Sequence, residues 1–229
     1  MTKNVLIIGA GSGLSASVAR TFAAEGMAVG LAARNADKLT ALANEIGART
    51  YACDATDPDA VATLFEAFDA DLGAPDILVY NPSRRVPGPI TEVDPSDTRD
   101  AIMVSAYGAF LAAQQAARRM LKAGSGTMLF TGASAGVKGY ARSAPFAMGK
   151  FALRGLCQSL ARELSPQNIH VAHFVIDGKI LNEKRGAPYN DAATSLDPDA
   201  IARTYLNIAR QHPSAWTWEI ELRPSMETF

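Results

Sequence analysis

The residues best placed to do chemistry begin at the amino end, where Val5-Leu6-Ile7-Ile8 runs into Gly9-Ala10-Gly11-Ser12-Gly13-Leu14-Ser15. A buried strand that turns through glycines into a helix lets backbone amides approach a pyrophosphate, and the helix dipole favours the anion there. The Gly-x-Gly-x-x-Gly form is not met, because its third position is Leu14; a plain glycine turn stays open as the alternative. Other reactive side chains are scattered. His170, His173 and His212 have no metal-ligand spacing, and the first two have strand-like neighbours, which favours structural roles. Cys53 and Cys157 lie far apart, so they form neither a disulfide framework nor a zinc site. Arg84 and Arg85 sit in a loop, where they can meet an anionic substrate or simply face water.

The elements that must position these groups follow from the apolar pattern. Short runs at Val5–Ile8, Ala28–Ala33, Thr50–Cys53, Ile77–Tyr80, Thr127–Thr131, Val171–Ile176 and Trp216–Leu222 alternate with amphipathic stretches. That is the rhythm of βαβ units, and most runs lack polar alternation, as strands covered on both faces should. Asp57-Pro58, Asp94-Pro95 and Asp197-Pro198 each place a capping carboxylate before a proline suited to the first helical turn. Gly26, Gly47 and Gly73 fall where helices should stop. Trp216 and Trp218 share one face of the last predicted strand, which suits a core or a subunit interface. The polar stretch 178–197 follows the sixth strand and is long enough to be a functional lid.

The 229 residues are 48% apolar, which excludes wholesale disorder, and no linker or repeat divides them, so one domain over 1–229 is expected. With 22 basic and 23 acidic side chains the net charge is −1, leaving no electrostatic footprint for nucleic acid or an anionic membrane. No window approaches the roughly 18 apolar residues of a membrane helix. A reducing cytoplasm is the expected location.

Read as Gly-x-x-x-Gly-x-Gly, the first loop has Gly9 and Gly13, with Ser15 for the last glycine. Asp54-Ala55 follows the third strand, Asn81 lies in Leu78-Val79-Tyr80-Asn81-Pro82-Ser83, Phe146-Ala147-Met148-Gly149-Lys150 holds a Tyr-x-x-x-Lys position, and Asp177-Gly178-Lys179-Ile180-Leu181-Asn182 is like Pro-Gly-x-Ile-x-Thr. In order and spacing these segments resemble the short-chain dehydrogenase/reductase family. The resemblance implies a doubly wound parallel sheet (a Rossmann fold) of about seven strands with helices on both faces. It implies a nicotinamide cofactor held by Gly9, Gly11, Ser12, Gly13, Leu14, Arg34, Asp54, Ala55, Asn81, Lys150, Gly178 and Ile180. At the end of the second strand an NAD enzyme usually carries Asp or Glu; here Arg34 stands instead, suited to a 2′-phosphate, so NADP(H) is expected.

The implied catalytic set is altered. Of its four positions only Lys150 is kept. The tyrosine position is Phe146, the serine position is Ala133, and the asparagine position is Ser105. Ser134, one residue from the lost serine, is the nearest replacement hydroxyl; Tyr140 and Tyr107 are others, and a buried Asp177 with a raised pKa is a possible acid. The enoyl-reductase branch of the family has its tyrosine seven residues before the lysine, but Ser143 stands there. The expectation is an NADP(H)-dependent oxidoreductase acting on a small-molecule carbonyl, alcohol or related substrate with an atypical proton donor. The alternative is a catalytically silent NADP(H)-binding sensor or partner subunit. The resemblance also suggests a homodimer or homotetramer, packed through the helices around 96–122 and 147–164.

Overall fold

A computed structural model describes residues 2–182 and 185–226. Its core is a seven-stranded sheet built from β1 (Asn4–Ile8), β2 (Ala28–Ala33), β3 (Arg49–Ala52), β4 (Ile77–Tyr80), β5 (Gly126–Thr131), β6 (Ile169–Ile176) and β9 (Glu219–Leu222). The strand order is β3-β2-β1-β4-β5-β6-β9, and every pair is parallel. The unbroken apolar runs have a direct cause. Leu6 and Ile8 pack into one hydrophobic cluster while Val5 and Ile7 pack into a second, so both faces of β1 are buried.

Helices cover both faces. Beside Leu6 and Ile8 lie side chains of α3 (Pro58–Leu72), α5 (Gly108–Ala123) and α6 (Ala144–Leu164). Beside Val5 and Ile7 lie those of α1 (Leu14–Ala24), α2 (Thr40–Ile46) and α7 (Pro198–Ala209). The Asp-Pro signals are met: Asp57 and Asp197 cap α3 and α7, and Asp94 caps α4 (Pro95–Ile102) by accepting from the amides of Ser96 and Asp97. Gly47 closes α2 in the left-handed region at φ 68°.

The order in which strands are added reverses between β1 and β4, and the crevice at the carboxyl end of such a switch point is where open α/β sheets bind ligands. Gly9 turns there at φ +81°, and a Cβ on it would lie 2.6 Å from the Pro82 nitrogen. The amide of Asn81 donates to the Ile8 carbonyl at 3.0 Å, which locks the two strand ends together.

Two expectations need correction. The last strand starts at Glu219, not Trp216, because a 3₁₀ turn over Pro213–Ala215 leads into it and the Trp216 indole donates to the Gln211 carbonyl. Trp216 stacks on His170 with ring centres 4.8 Å apart, and Trp218 lies under Arg154, so the two rings do not share a strand face. The stretch 178–197 is not irregular throughout: β7 (Lys179–Ile180) pairs in parallel with β8 (Ser195–Leu196).

Candidate active site

A cleft of about 570 Å³ opens at the carboxyl ends of the central strands. Gly13 and Leu14 line it from the first turn, Asn81 from the end of β4, Thr131 to Ala135 from the end of β5, Phe146 and Lys150 from α6, and Asp177 to Asn182 from beyond β6.

The glycine turn is suited to an anion. Gly13 caps α1 without any side-chain bond to the helix amides; the Ala16 amide turns back to the Gly13 carbonyl at 2.9 Å, which leaves those of Leu14 and Ser15 for an anion. No atom lies within 4 Å of a Cβ built on Gly11, and on Gly13 only the Asn182 side chain comes that near, at 3.8 Å. Ser15 has a task that its place in the glycine pattern does not suggest. Its hydroxyl donates to the Gly9 carbonyl at 2.9 Å and accepts from the Asn81 amide at 2.6 Å, joining the turn to β4. The cradle therefore fits the pyrophosphate of a dinucleotide.

Arg34 is exposed at the end of β2 and enters no ion pair among the described residues. Asp54, past the end of β3, accepts the Thr56 amide and hydroxyl at 2.9 and 2.8 Å. Those bonds, helped by the Arg34 charge, hold its carboxyl below the usual range. Ala55 is buried, and its carbonyl lies 2.5 Å from where a Cβ on Gly108 would stand. Arg34, Asp54 and Ala55 share the carboxyl edge but do not line the cleft itself. At the other end, Gly178 (φ +154°) fits against Pro224, and Ile180 pairs with Leu196 in the β7–β8 ladder.

The side chains expected at the catalytic positions are sorted by their depth. Lys150 is only 2% exposed, its Nζ donates to the Thr131 carbonyl at 2.7 Å, and desolvation brings its pKa down to about 8. Phe146 lies one turn earlier on α6 and turns its ring toward two cations: the Arg85 guanidinium 4.8 Å from the ring centre and Lys150 Nζ at 5.8 Å. Ser134 lines the cleft together with Asp177, and its hydroxyl lowers the Asp177 pKa. Ser105 does not reach the cleft. It lies in a π-helical turn (Met103–Tyr107), fully buried, with a Cβ on Gly149 falling 2.9 Å from its own Cβ. Tyr107 is equally remote and stacks on Phe110.

Asp177 is not the raised-pKa acid expected of it. Burial pushes its carboxyl up, but the Ser134 hydroxyl and the Lys138 and Arg223 charges together outweigh burial and hold it below the usual range. Arg223 reaches it at 2.8 Å and Lys138 at 3.5 Å, with the Tyr140 hydroxyl also at 3.5 Å. It is an ionised anchor.

The histidines are structural, as expected. His170 bonds the Thr217 carbonyl, and His212 accepts from the Ser214 amide. His173, fully buried, meets Glu219 at 3.0 Å beside the Arg154–Glu219 fork. Burial lowers the His173 pKa from 6.5 to about 4, so the unfolded chain binds the extra proton first. Its contribution to stability is present above about pH 6.5 and is lost as pH falls toward 4. The slope of unfolding free energy against pH in that window should flatten in His173→Gln, as urea titrations would show.

The sheet order, the glycine turn at its switch point and the cleft beyond it define a nucleotide-binding α/β domain of the Rossmann type. The model of the short chain dehydrogenase family matches residues 3–178, and the chain belongs to that family of oxidoreductases. It is 30% identical to the 3-oxoacyl-[acyl-carrier-protein] reductase MabA of Mycobacterium tuberculosis, over 79% of this chain and 70% of that one. Among solved structures, a short-chain dehydrogenase from Rhodopseudomonas palustris is 36% identical with a TM-score of 0.85, covering 97% of this chain and 98% of the other. A metagenomic short-chain oxidoreductase in complex with NADP is 27% identical, also with a TM-score of 0.85, and covers 98% of each chain. Among the described residues no helix is long and apolar enough to cross a membrane.

Proposed function

We propose that the protein is an NADP(H)-dependent oxidoreductase of small carbonyl or alcohol substrates in which Lys150 takes the proton role that the family's tyrosine has. The observation that carries this reading is the meeting, in one cleft, of an open glycine cradle with a desolvated lysine beside Phe146 and Ala133. When bound, the nicotinamide supplies or accepts the hydride. The chain's residues handle the proton and the geometry.

Gly9, Gly11, Ser12, Gly13 and Leu14 would receive the pyrophosphate, with Asp54 and Ala55 on the adenine side and Asn81, Gly178 and Ile180 toward the nicotinamide. Arg34 would take the 2′-phosphate. Its lack of an ion pair among the described residues supports this, because a guanidinium fork not held by a carboxylate suits a planar or bidentate anion. The similar structure in complex with NADP supports the same choice.

For reduction, a group in the cleft must give a proton to the substrate oxygen. Asp177 is held ionised and cannot. The Lys150 ammonium spends one N–H on Thr131 and has two left, and a pKa near 8 is close to the ideal for a donor at neutral pH. The proton passes from Nζ to the substrate oxygen, and water restores it. A second copy of the chain would pack on α5 and α6, whose outer faces expose Phe110, Met148 and Phe151, giving a homodimer or homotetramer.

The cofactor is tested by following nicotinamide fluorescence as NADPH and NADH are titrated into the wild type and Arg34→Ala. NADPH should bind more tightly, and the variant should lose about tenfold or more of that affinity while NADH changes little. Equal affinities in the wild type would overturn the choice of NADP(H).

A further inference from the structure

Cations outnumber anions on the walls of the cleft. Arg85, Lys150, Lys179 and Arg185 line it against one carboxylate, Asp177, which Arg223 and Lys138 already engage. The two neighbouring arginines of the loop after β4 have different fates. Arg84 is neutralised by Asp97 and Asp100, whereas Arg85 enters no ion pair among the described residues. Arg185, across on the 178–197 stretch, is likewise without one.

Both guanidiniums are instead laid on aromatic rings, Arg85 at 4.8 Å from the Phe146 centre and Arg185 at 3.9 Å from the Tyr189 centre. A ring face steadies a guanidinium without consuming its N–H donors, so the fork stays available and loses less freedom when an anion arrives. The position of Arg85 separates it from the glycine cradle. It covers Phe146, the same ring that Lys150 Nζ approaches, so it stands at the reacting end of the cleft.

We infer that the substrate is a small carbonyl or alcohol compound bearing a carboxylate or phosphate near its reacting carbon, held by the Arg85 fork and covered by Arg185. The assignment of a reacting carbon rests on the oxidoreductase reading above; the preference for an anion does not. Replacement of tyrosine by Phe146 is consistent with this, since a plain ring gives Arg85 a face to lie on without competing for its donors.

The test uses matched pairs: acetoacetate against methyl acetoacetate, and dihydroxyacetone phosphate against dihydroxyacetone. Binding is measured by calorimetry on the free protein and on protein saturated with NADP+, which cannot reduce a ketone. The charged member of at least one pair should bind about tenfold or more tightly than its neutral partner. Arg85→Gln should bring that pair within about threefold, while Arg85→Lys keeps part of the preference and NADPH affinity is unchanged in both. Whichever pair shows the larger ratio identifies the anion as carboxylate or phosphate. Equal binding within both pairs, no binding of any compound up to about 10 mM, or a preference that survives Arg85→Gln would each overturn the proposal. Loss of NADPH affinity in Arg85→Gln would overturn it too, by assigning that arginine to the cofactor. If NADPH fails to bind the wild type, the oxidoreductase reading falls, and the free-protein ratios still decide the anion preference.

Discussion

Lys150→Met should lower the rate of substrate reduction by about 10²-fold or more, the usual loss when a positioned proton donor is removed. Loss of a ribose contact alone would appear mainly in cofactor affinity, so the two roles separate in the kinetics. If Lys150 donates the proton, the reduction rate of the wild type with saturating cofactor should fall as pH rises through about 8. A rate that stays flat from pH 7 to 9 would remove Lys150 from that role.

The same substitution should act oppositely on stability. Folding holds the Lys150 ammonium in a desolvated site, so its pKa falls from 10.5 to about 8 and the unfolded chain binds more protons between those values. Stability of the wild type should therefore rise with pH across that window, and the buried charge should cost most below it. At pH 7, Lys150→Met should gain on the order of 2–3 kcal/mol before the lost Thr131 bond is counted, and the gain should vanish above about pH 10. Urea unfolding at pH 7 and pH 10 would measure it. A variant more stable and less active is the signature of a functional group held at a cost; one that is less stable at both pH values would mark Lys150 as structural.

The second large effect is a gain. Phe146→Tyr combined with Ala133→Ser should raise reduction of simple neutral ketones by about 10²-fold or more over the wild type. Both positions line the cleft, and Lys150 lies one turn from residue 146, where its charge would favour a tyrosinate. The new hydroxyls would supply a phenolic donor and an oxygen-binding group at two positions, Phe146 and Ala133, whose present side chains carry neither. The pH dependence should move with them, since the proton would leave the tyrosine instead of the ammonium. A silent double variant that still binds NADPH would instead favour a dinucleotide-binding sensor or partner subunit.

Much of this molecule is written locally. Two runs buried on both faces, β1 and β4, are apolar at almost every position, which a parallel sheet between two helical layers requires. The Asp-Pro caps act within one helical turn and were legible for that reason. So was the pairing of Phe146 with Lys150, because the two are four residues apart on α6 and no packing can give Phe146 a hydroxyl.

What the sequence could not disclose is how residues far apart in the chain are paired. Asp177 reads as a candidate acid until Arg223 and Lys138 are brought to it, and the sign of its pKa shift follows from those two charges and the Ser134 hydroxyl. Ser105 reads as a candidate site residue, yet close packing against Gly149 buries it out of the cleft. Arg84 and Arg85 are indistinguishable as neighbours; one turns to the carboxylates of α4 and the other to the face of Phe146. Periodicity and capping depend on contacts within a few residues, so the sequence by itself determined the elements and the residue types that α6 offers at 146 and 150. Charge pairing and desolvation depend on which elements the fold packs together, so only the tertiary structure decided which groups in the cleft are neutralised and which remain for a ligand.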